Sequence, residues 1–147
     1  MSELLVLAQL AGKRCALRAS DVGSIIEAGA IAPIPCTPSH IVGITALRSR
    51  AMTVIDCRAA IGEDPDQFPC DDHLAVVEVE GHAYALRLDT VEDIANSQSD
   101  LTPVPGKSGD NWKRIAQGMI ETDRGPALLI DIAQVIAGIE ENHSKAA

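Results

Sequence analysis

Residues 35–62 read P-C-T-P-S-H-I-V-G-I-T-A-L-R-S-R-A-M-T-V-I-D-C-R-A-A-I-G. Within this stretch, two apolar segments, Ile41 to Leu47 and Ala51 to Cys57, flank an Arg-Ser-Arg turn, and this pattern predicts a β-hairpin. Asp56 then precedes a short apolar run that Gly62 ends, which predicts a helix with an aspartate N-cap. The stretch therefore predicts two paired strands followed directly by a short helix.

The rest of the chain also consists of short apolar segments separated by turns. A second helical run, I-A-Q-V-I-A-G, follows Asp131 and ends in glycine like the first. Regular short strands with few helices predict a mainly β fold, built as small barrels or a sandwich. The further predicted strands are Leu4 to Leu10, Arg14 to Ala19, an extended stretch within Ser24 to Ile34, Leu74 to Val79, His82 to Leu88, Ile115 to Glu121 and Ala127 to Ile130.

The two halves of the chain resemble each other, which indicates an internal repeat. The offset between matching residues grows from 69 to 75 along the chain, which places the insertions in loops. The repeat predicts two similar β subdomains, each closed by a short helix. The matching segments are 10–22 and 79–91, Val22-x-x-Ile25 and Val91-x-x-Ile94, and Gly43 to Ile61 and Gly118 to Ile136.

The repeat also gives the predicted domain organisation, which is a single domain over residues 1–140. Subdomain 1 spans about 10–62 and subdomain 2 about 73–137, with an exchange of strands allowed where the two meet. The acidic, proline-containing segment 62–72 is the predicted linker between them. Residues 141–147 are a polar tail that we expect to fray.

The composition excludes several kinds of partner. The formal charge is −9 and aromatic residues make up 2% of the chain. Because a phosphate backbone repels an acidic surface, and single-strand binders need stacking aromatics, nucleic acid is excluded as a partner. The sequence holds no apolar run of about 20 residues, so no direct membrane insertion is expected. The first residues lack the basic start of a signal peptide, so a cytoplasmic protein is expected.

The cysteines point to the same compartment. Cys15, Cys36, Cys57 and Cys70 have no C-x-x-C spacing, and nothing indicates secretion. This favours small buried thiols in a reducing environment over disulfides.

A search for catalytic or ligand-binding motifs finds none with suitable spacing. The glycines are too scattered for a phosphate loop, and the histidines lack partners at metal-ligand spacing. His40 could meet Cys36 or Cys57, so a small cysteine or carboxylate hydrolase stays as a lesser alternative. Asp56 and Asp131 could do acid–base chemistry, but their positions before apolar runs favour helix caps. The prediction is a non-enzymatic protein with no catalytic residue, metal site or cofactor.

Two arginines, Arg48 and Arg50, stand in the turn of an apolar hairpin within this acidic chain. One interpretation is a solvated turn. The other is a positive anchor at a protein interface, where arginine can bind a carboxylate with two hydrogen bonds. The residues themselves leave both interpretations open.

The stretch 35–62 resembles the signature of the CheW family. That signature has a proline-containing entry, a glycine, an apolar-Asn-Leu-Arg-Gly turn, a strand ending in apolar-Asp-Leu-Arg, and a short helix. Segments D-T-V-E-D-I (89–94) and P-A-L-L-I-D-I-A-Q-V-I (126–136) resemble later family elements, so the likeness covers roughly 3–138. The residues at matching positions are Pro38, Gly43, Leu47, Arg48, Val54, Ile55, Asp56, Arg58 and Gly62.

The resemblance implies a fold, partners and a set of contact residues. The implied fold is two five-stranded, SH3-like β-barrels around a shared apolar junction. The implied partners are the regulatory domain of a CheA-type histidine kinase and the cytoplasmic tip of a methyl-accepting chemoreceptor. Val22, Gly43 and Arg48 match family contact positions, Leu47 adjoins Arg48, and Ile25 and Ile26 are expected along the same groove.

The implied function is that of a chemotaxis adaptor, cytoplasmic and recruited to membrane-associated receptor arrays. A scaffold of a pilus or developmental array is the alternative. Three positions depart from the signature, because Ala46, Ser49 and Cys57 replace Asn, Gly and Leu. Serine in place of glycine makes a positive φ in the turn more costly.

Overall fold

The structure is a computed structural model of the 147-residue chain. It describes residues 3–27, 29–35, 38, 40–47, 49–64, 67, 73–106 and 109–138, with Leu47 described by its backbone alone. Arg48, Cys36, Cys70, most of the predicted linker and the predicted tail lie outside the described residues.

The described residues form ten strands and three short helices, which confirms the predicted mainly β class. A 3-10 turn at Ala19–Asp21 joins β2 to β3. The strands are β1 (Leu4–Leu10), β2 (Lys13–Arg18), β3 (Val22–Glu27), β4 (Ile41–Leu47), β5 (Arg50–Asp56), β6 (His73–Val79), β7 (His82–Arg87), β8 (Thr90–Asn96), β9 (Ala116–Thr122) and β10 (Gly125–Ile130), and the helices are α1 (Cys57–Ala60), α2 (Asp110–Ile115) and α3 (Ile132–Ala137).

Two five-stranded sheets carry the internal repeat. Sheet A has the strand order β8-β1-β2-β10-β9 and sheet B has the order β3-β6-β7-β5-β4. The two orders become identical when each strand is replaced by its counterpart in the repeat. The hairpin β1–β2 from the first half therefore lies in the sheet of β8, β9 and β10, and β6–β7 lies in the sheet of β3, β4 and β5.

The pairing registers repeat as well. In the β1–β2 hairpin Leu5 pairs with Arg18, and in the β6–β7 hairpin Leu74 pairs with Arg87, which is the same register shifted by 69 residues. The corresponding edge strands β3 and β8 each shift register by one residue after their first valine. Such a β-bulge bends an edge strand and lets the sheet curl toward a barrel. Within the predicted range 10–62, β2 thus belongs to sheet A, whereas β3, β4 and β5 belong to sheet B. The bounds of this subdomain stay a prediction.

The core lies in three parts. One part lies inside the curl of each sheet, and the third lies between the two sheets and is called the shared core below. Alternating side chains of a strand point to opposite faces. In β1, Leu5 and Leu7 therefore fill the interior of sheet A, whereas Val6 and Ala8 face the shared core. The interior of sheet B is smaller and consists of Val54, Leu74 and Ala85, with Ile26, Ile31 and Val42 packed against them.

Two aspartates begin helices as predicted. The side chain of Asp56 accepts a hydrogen bond from the backbone N–H of Arg58 at 3.0 Å. The side chain of Asp131 accepts one from the N–H of Gln134 at 3.4 Å. Their role as caps is confirmed, because a carboxylate that satisfies the exposed amides of a first turn stabilises a helix start.

Two elements were not predicted, and several strand bounds differ from the predicted ones by one or two residues. Strand β8 was not predicted, because its bulge interrupts the two-residue alternation and it exposes three successive residues, Glu92, Asp93 and Ile94. Helix α2 was not predicted, because its N-cap is Gly109 and offers no capping side chain. Ile115 ends this helix and does not begin a strand.

Helices in the described part of the chain are short, with six residues at most. None of them reaches the length and apolarity of a membrane span.

Candidate protein-interaction surface

The predicted contact residues of β3 divide between surface and core. Ile25 pairs with Ala75 of β6, whose side chain belongs to the shared core, so both residues face that side of the sheet. Ile25 nevertheless keeps 39% of its surface exposed. Ile26 points to the opposite face and packs inside sheet B, and Val22 packs against the shared core. Of these three residues, Ile25 is the one that offers a free apolar side chain.

Gly43 lies where the segment after β3 pairs with β4 and so closes sheet B. The segment after β3 meets β4 through two hydrogen bonds, from the N–H of Ala32 to the Ile44 oxygen at 2.8 Å and from the N–H of Ile44 to the Ala32 oxygen at 2.9 Å. A Cβ on Gly43 would lie 2.9 Å from Ile31 Cγ2 and closer still to the carbonyl oxygen of Ala32. The position therefore requires glycine for barrel closure.

The predicted contact residue Arg48 belongs to the segment between β4 and β5. Leu47 ends β4 and Arg50 begins β5, so the turn consists of Arg48, which lies outside the described residues, and Ser49. Ser49 has a φ of 69°, the left-handed conformation that glycine adopts most easily. Arg50 forms an exposed ion pair with Glu78 at 2.6 Å. This pair connects the start of β5 to β6, the strand that pairs with β3.

A surface cavity connects the two predicted regions. It has a volume of about 370 Å³, and its lining includes Asp21 and Gly23 at the start of β3 together with Arg50 and Glu78. Val22 lies between two of these residues in sequence. The structure thus brings the start of β3 next to the start of β5. We use the name β3–hairpin surface for the predicted contact set, which is Val22, Ile25, Ile26, Gly43, Leu47 and Arg48; Arg48 and the Leu47 side chain lie outside the described part of the chain.

Exposed apolar residues that the sequence did not single out occur on both sheets. Ile94 of β8 is 52% exposed and is the counterpart of Ile25 in the repeat. Its pairing partner, Val6, belongs to the shared core, as Ala75 does for Ile25. Ile44, next to Gly43, is 39% exposed. The recurring Val-x-x-Ile pattern could have identified Ile94, whereas no sequence signal distinguishes Ile44 from a core residue.

A buried ion pair holds the end of the hairpin. Nε of Arg58 donates to Oδ1 of Asp56 at 3.0 Å, and a terminal nitrogen donates to Oδ2 at 2.9 Å. Both side chains are almost fully buried. The same aspartate also caps α1, so one carboxylate fixes the last residue of β5 to the helix. The counterpart of Arg58 in the second half is Ala133, so α3 lacks this ion pair.

The two described cysteines are free and buried, as predicted. Burial raises the pKa of the Cys15 thiol, and the nearby carboxylates of Asp89 and Glu92 raise it further. Burial likewise raises the pKa of Cys57, with Asp56 adding to the effect. A nucleophilic cysteine needs a lowered pKa and access to substrate, so Cys57 is unsuited to that role. In the part of the chain that is described, no three potential metal ligands gather.

Comparison with known proteins agrees with this architecture. The sequence profile of the CheW-like domain family matches residues 4–140. The chain belongs to the CheW-like domain family. Its fold matches that of a CheW structure with two SH3-like subdomains, the scaffolding protein TtCheW from Thermoanaerobacter tengcongensis. The TM-score is 0.76 at 25% identity, over 88% of this chain and 89% of the other.

Two curated relatives are CheW proteins too. The chain is 24% identical over 109 residues to the chemotaxis protein CheW of Rhizobium meliloti (strain 1021), covering 74% of this chain and 70% of the relative. It is 26% identical over 108 residues to the probable chemotaxis protein CheW of Rhizobium etli, covering 73% and 70%. The chain is therefore a CheW-like scaffold protein of the chemotaxis class, and CheW-like proteins are non-enzymatic scaffolds.

Proposed function

We propose that this CheW-like protein couples the cytoplasmic tips of chemoreceptors to the regulatory domain of a CheA-type histidine kinase. It acts in the cytoplasm and is recruited to membrane-associated receptor arrays. The observation that carries the proposal is the family match over residues 4–140 together with the shared two-barrel fold. The alternative, a scaffold for a pilus or developmental array, would use the same fold with other partners.

The β3–hairpin surface is the proposed contact region. Ile25 offers an exposed aliphatic side chain beside the shared core, and burying such a side chain at an interface is favourable. Arg48 supplies a cation in an acidic protein, and arginine is enriched at the energetic centres of interfaces. Gly43 allows the barrel to close, Ile26 packs inside sheet B, and Val22 packs against the shared core, so that all three support the surface from beneath. Leu47 positions the turn that carries Arg48.

Coupling of this kind needs no chemistry. An adaptor that binds two partners at once raises their effective concentration and fixes their relative orientation. Signal passes when the receptor's contacts with the adaptor differ between receptor states, because this difference biases the kinase equilibrium. An interface of about 800 Å² per partner is sufficient for specific binding.

The test is calorimetric titration of the full chain with the kinase regulatory domain and, separately, with a receptor tip from the same source. We expect micromolar or tighter binding to the kinase domain. Arg48→Ala should weaken binding of one partner about tenfold, as loss of a charge-assisted contact of about 1.4 kcal/mol requires. Arg50→Ala is the matched control, since Arg50 begins β5 directly after the turn and already pairs with Glu78.

A second pair of variants tests the apolar part of the surface. Ile25→Ser should weaken binding, whereas Ile94→Ser, at the corresponding place on sheet A, should have a smaller effect. If neither the kinase domain nor the receptor tip binds the well-folded protein, the coupling function is wrong. A CheW-like adaptor of another array would then be the remaining interpretation.

A further inference from the structure

The repeat gives each sheet a surface cavity at the same place. Cavity B, of about 220 Å³, is lined by residues of β4, β5 and β7. Cavity A, of about 320 Å³, is lined by residues of β9, β10 and β2 together with Pro105. Six lining positions correspond through the repeat. In cavity A they are Met119, Pro126, Ala127, Leu128, Lys13 and Arg14, and in cavity B they are, in the same order, Ile44, Ala51, Met52, Thr53, His82 and Ala83.

The two cavities have diverged in polarity. The floor of cavity A is apolar, because Leu128 belongs to the shared core, Met119 packs against that core, and Pro105 adds a rigid wall. Cavity B has the polar Thr53 at the place of Leu128, whereas Ile44, at the place of Met119, is apolar. An apolar floor favours an aliphatic side chain as occupant, since burying one stabilises a complex.

Two cations border cavity A in a chain whose net charge is −9. Arg14 is held in place by an ion pair with Glu92 at 3.4 Å and by a hydrogen bond from its guanidinium to the carbonyl oxygen of Arg124. Lys13 is exposed and, among the described residues, forms no ion pair. An oriented arginine and an available lysine beside an apolar floor favour a carboxylate next to an aliphatic group.

We propose that cavity A is a docking site for an acidic, apolar segment of a partner protein, with a Leu, Ile or Val side chain in the cavity and a neighbouring Asp or Glu on Lys13. Cavity A lies on sheet A, whereas the β3–hairpin surface lies on sheet B, so this site is separate from the proposed kinase and receptor contacts. Cavity B lacks both cations and does not take this ligand.

The methionines provide a direct assay for this site. The chain has three, and Met119 lines cavity A, Met52 lines cavity B, and Met1 is at the N-terminus. The full chain with ¹³C-labelled methionine methyl groups is titrated with a pool of capped pentapeptides that carry Leu, Ile or Val between Asp or Glu residues. A second pool, with Lys or Arg in place of the acidic residues, is the charge control.

We expect the acidic pool to shift the Met119 methyl resonance in a saturable manner below about 1 mM, while the Met52 resonance stays in place. Lys13→Gln should weaken binding about two- to fivefold, as loss of one exposed ion pair predicts, and His82→Gln should leave it unchanged. The proposal is overturned by an unmoved Met119 resonance, by equal shifts from the basic pool, or by unchanged affinity of the folded Lys13→Gln variant.

Discussion

Replacing Gly43 by alanine should destabilise the protein strongly, because the added methyl group has no room. The new Cβ would lie 2.9 Å from Ile31 Cγ2, whereas carbon atoms in contact normally stay about 3.5–4.0 Å apart. The Ala32 segment must therefore retreat and stretch the two hydrogen bonds, of 2.8 and 2.9 Å, that join it to Ile44. Overpacking costs about 1–3 kcal/mol and each weakened hydrogen bond up to about 1 kcal/mol, so we expect a loss of about 2–4 kcal/mol.

Urea unfolding of Gly43→Ala, followed by circular dichroism, measures this loss. Gly118 is the counterpart of Gly43, and its Cβ would lie 2.5 Å from the carbonyl oxygen of Thr102, so Gly118→Ala should lose a comparable amount. Gly23→Ala is the matched control, because its Cβ would lie an ordinary 3.7 Å from the Val76 oxygen. A loss below about 0.5 kcal/mol at Gly43 would show that the crossing does not require glycine and would refute this account of barrel closure.

Three further expectations concern the turn, the buried ion pair and the thiols. Ser49→Gly should stabilise the protein by about 0.5–1 kcal/mol in thermal unfolding because Ser49 has a φ of 69°, whereas Ser24→Gly in extended β3 should not; equal effects would contradict the role of φ. Arg58→Leu should lower the free energy of unfolding by about 3–5 kcal/mol, since it leaves the buried Asp56 carboxylate without its cation. Asp56→Asn combined with Arg58→Leu should cost less than the sum of the two single variants, and a strictly additive result would argue against the ion pair. The unfolded chain releases the protons of Cys15 and Cys57 near a pKa of 9.0, while the folded chain retains them. The stability due to these two thiols is therefore full below pH 9.0 and declines above it by up to about 1.4 kcal/mol per pH unit for each thiol. A Cys15→Ala, Cys57→Ala double variant whose stability declines just as steeply with pH would contradict this.

The sequence predicted the fold well where local signals and the repeat agreed. The hairpins are visible as alternating apolar segments, and the capped helices are visible through Asp56 and Asp131. Strand β8 escaped prediction because a bulge shifts its alternation, and α2 because its cap is a glycine. These two failures share a cause, since in both places the backbone geometry is set by tertiary contacts and not by the residues of the segment.

The interaction surface could be predicted only in part. The repeat and the family signature indicated Ile25 and the Gly43 region, but they could not separate side chains that face outward from those that face inward. That separation depends on the register shift in β3, which places Ile25 on the shared-core side of the sheet, where it stays partly exposed, and Ile26 inside sheet B. Likewise, the correspondence between the two surface cavities depends on parallel pairings, β2 with β10 and β7 with β5, between strands far apart in sequence.

The exchange of hairpins between the halves ties the two barrels together, as the proposed coupling function requires. The chain passes from β2 in sheet A to β3 in sheet B through the three residues Ala19–Asp21. At the corresponding crossing after β7, the buried side chain of Asp89 accepts hydrogen bonds from the backbone of Ala11 at 3.1 Å and Gly12 at 2.9 Å, which ties the second half to the first hairpin. Neither barrel can change its orientation without breaking such crossings or exposing the shared core. An adaptor that fixes the relative geometry of two partners requires this kind of interdependence, because a flexible link would lower the effective concentration that coupling provides.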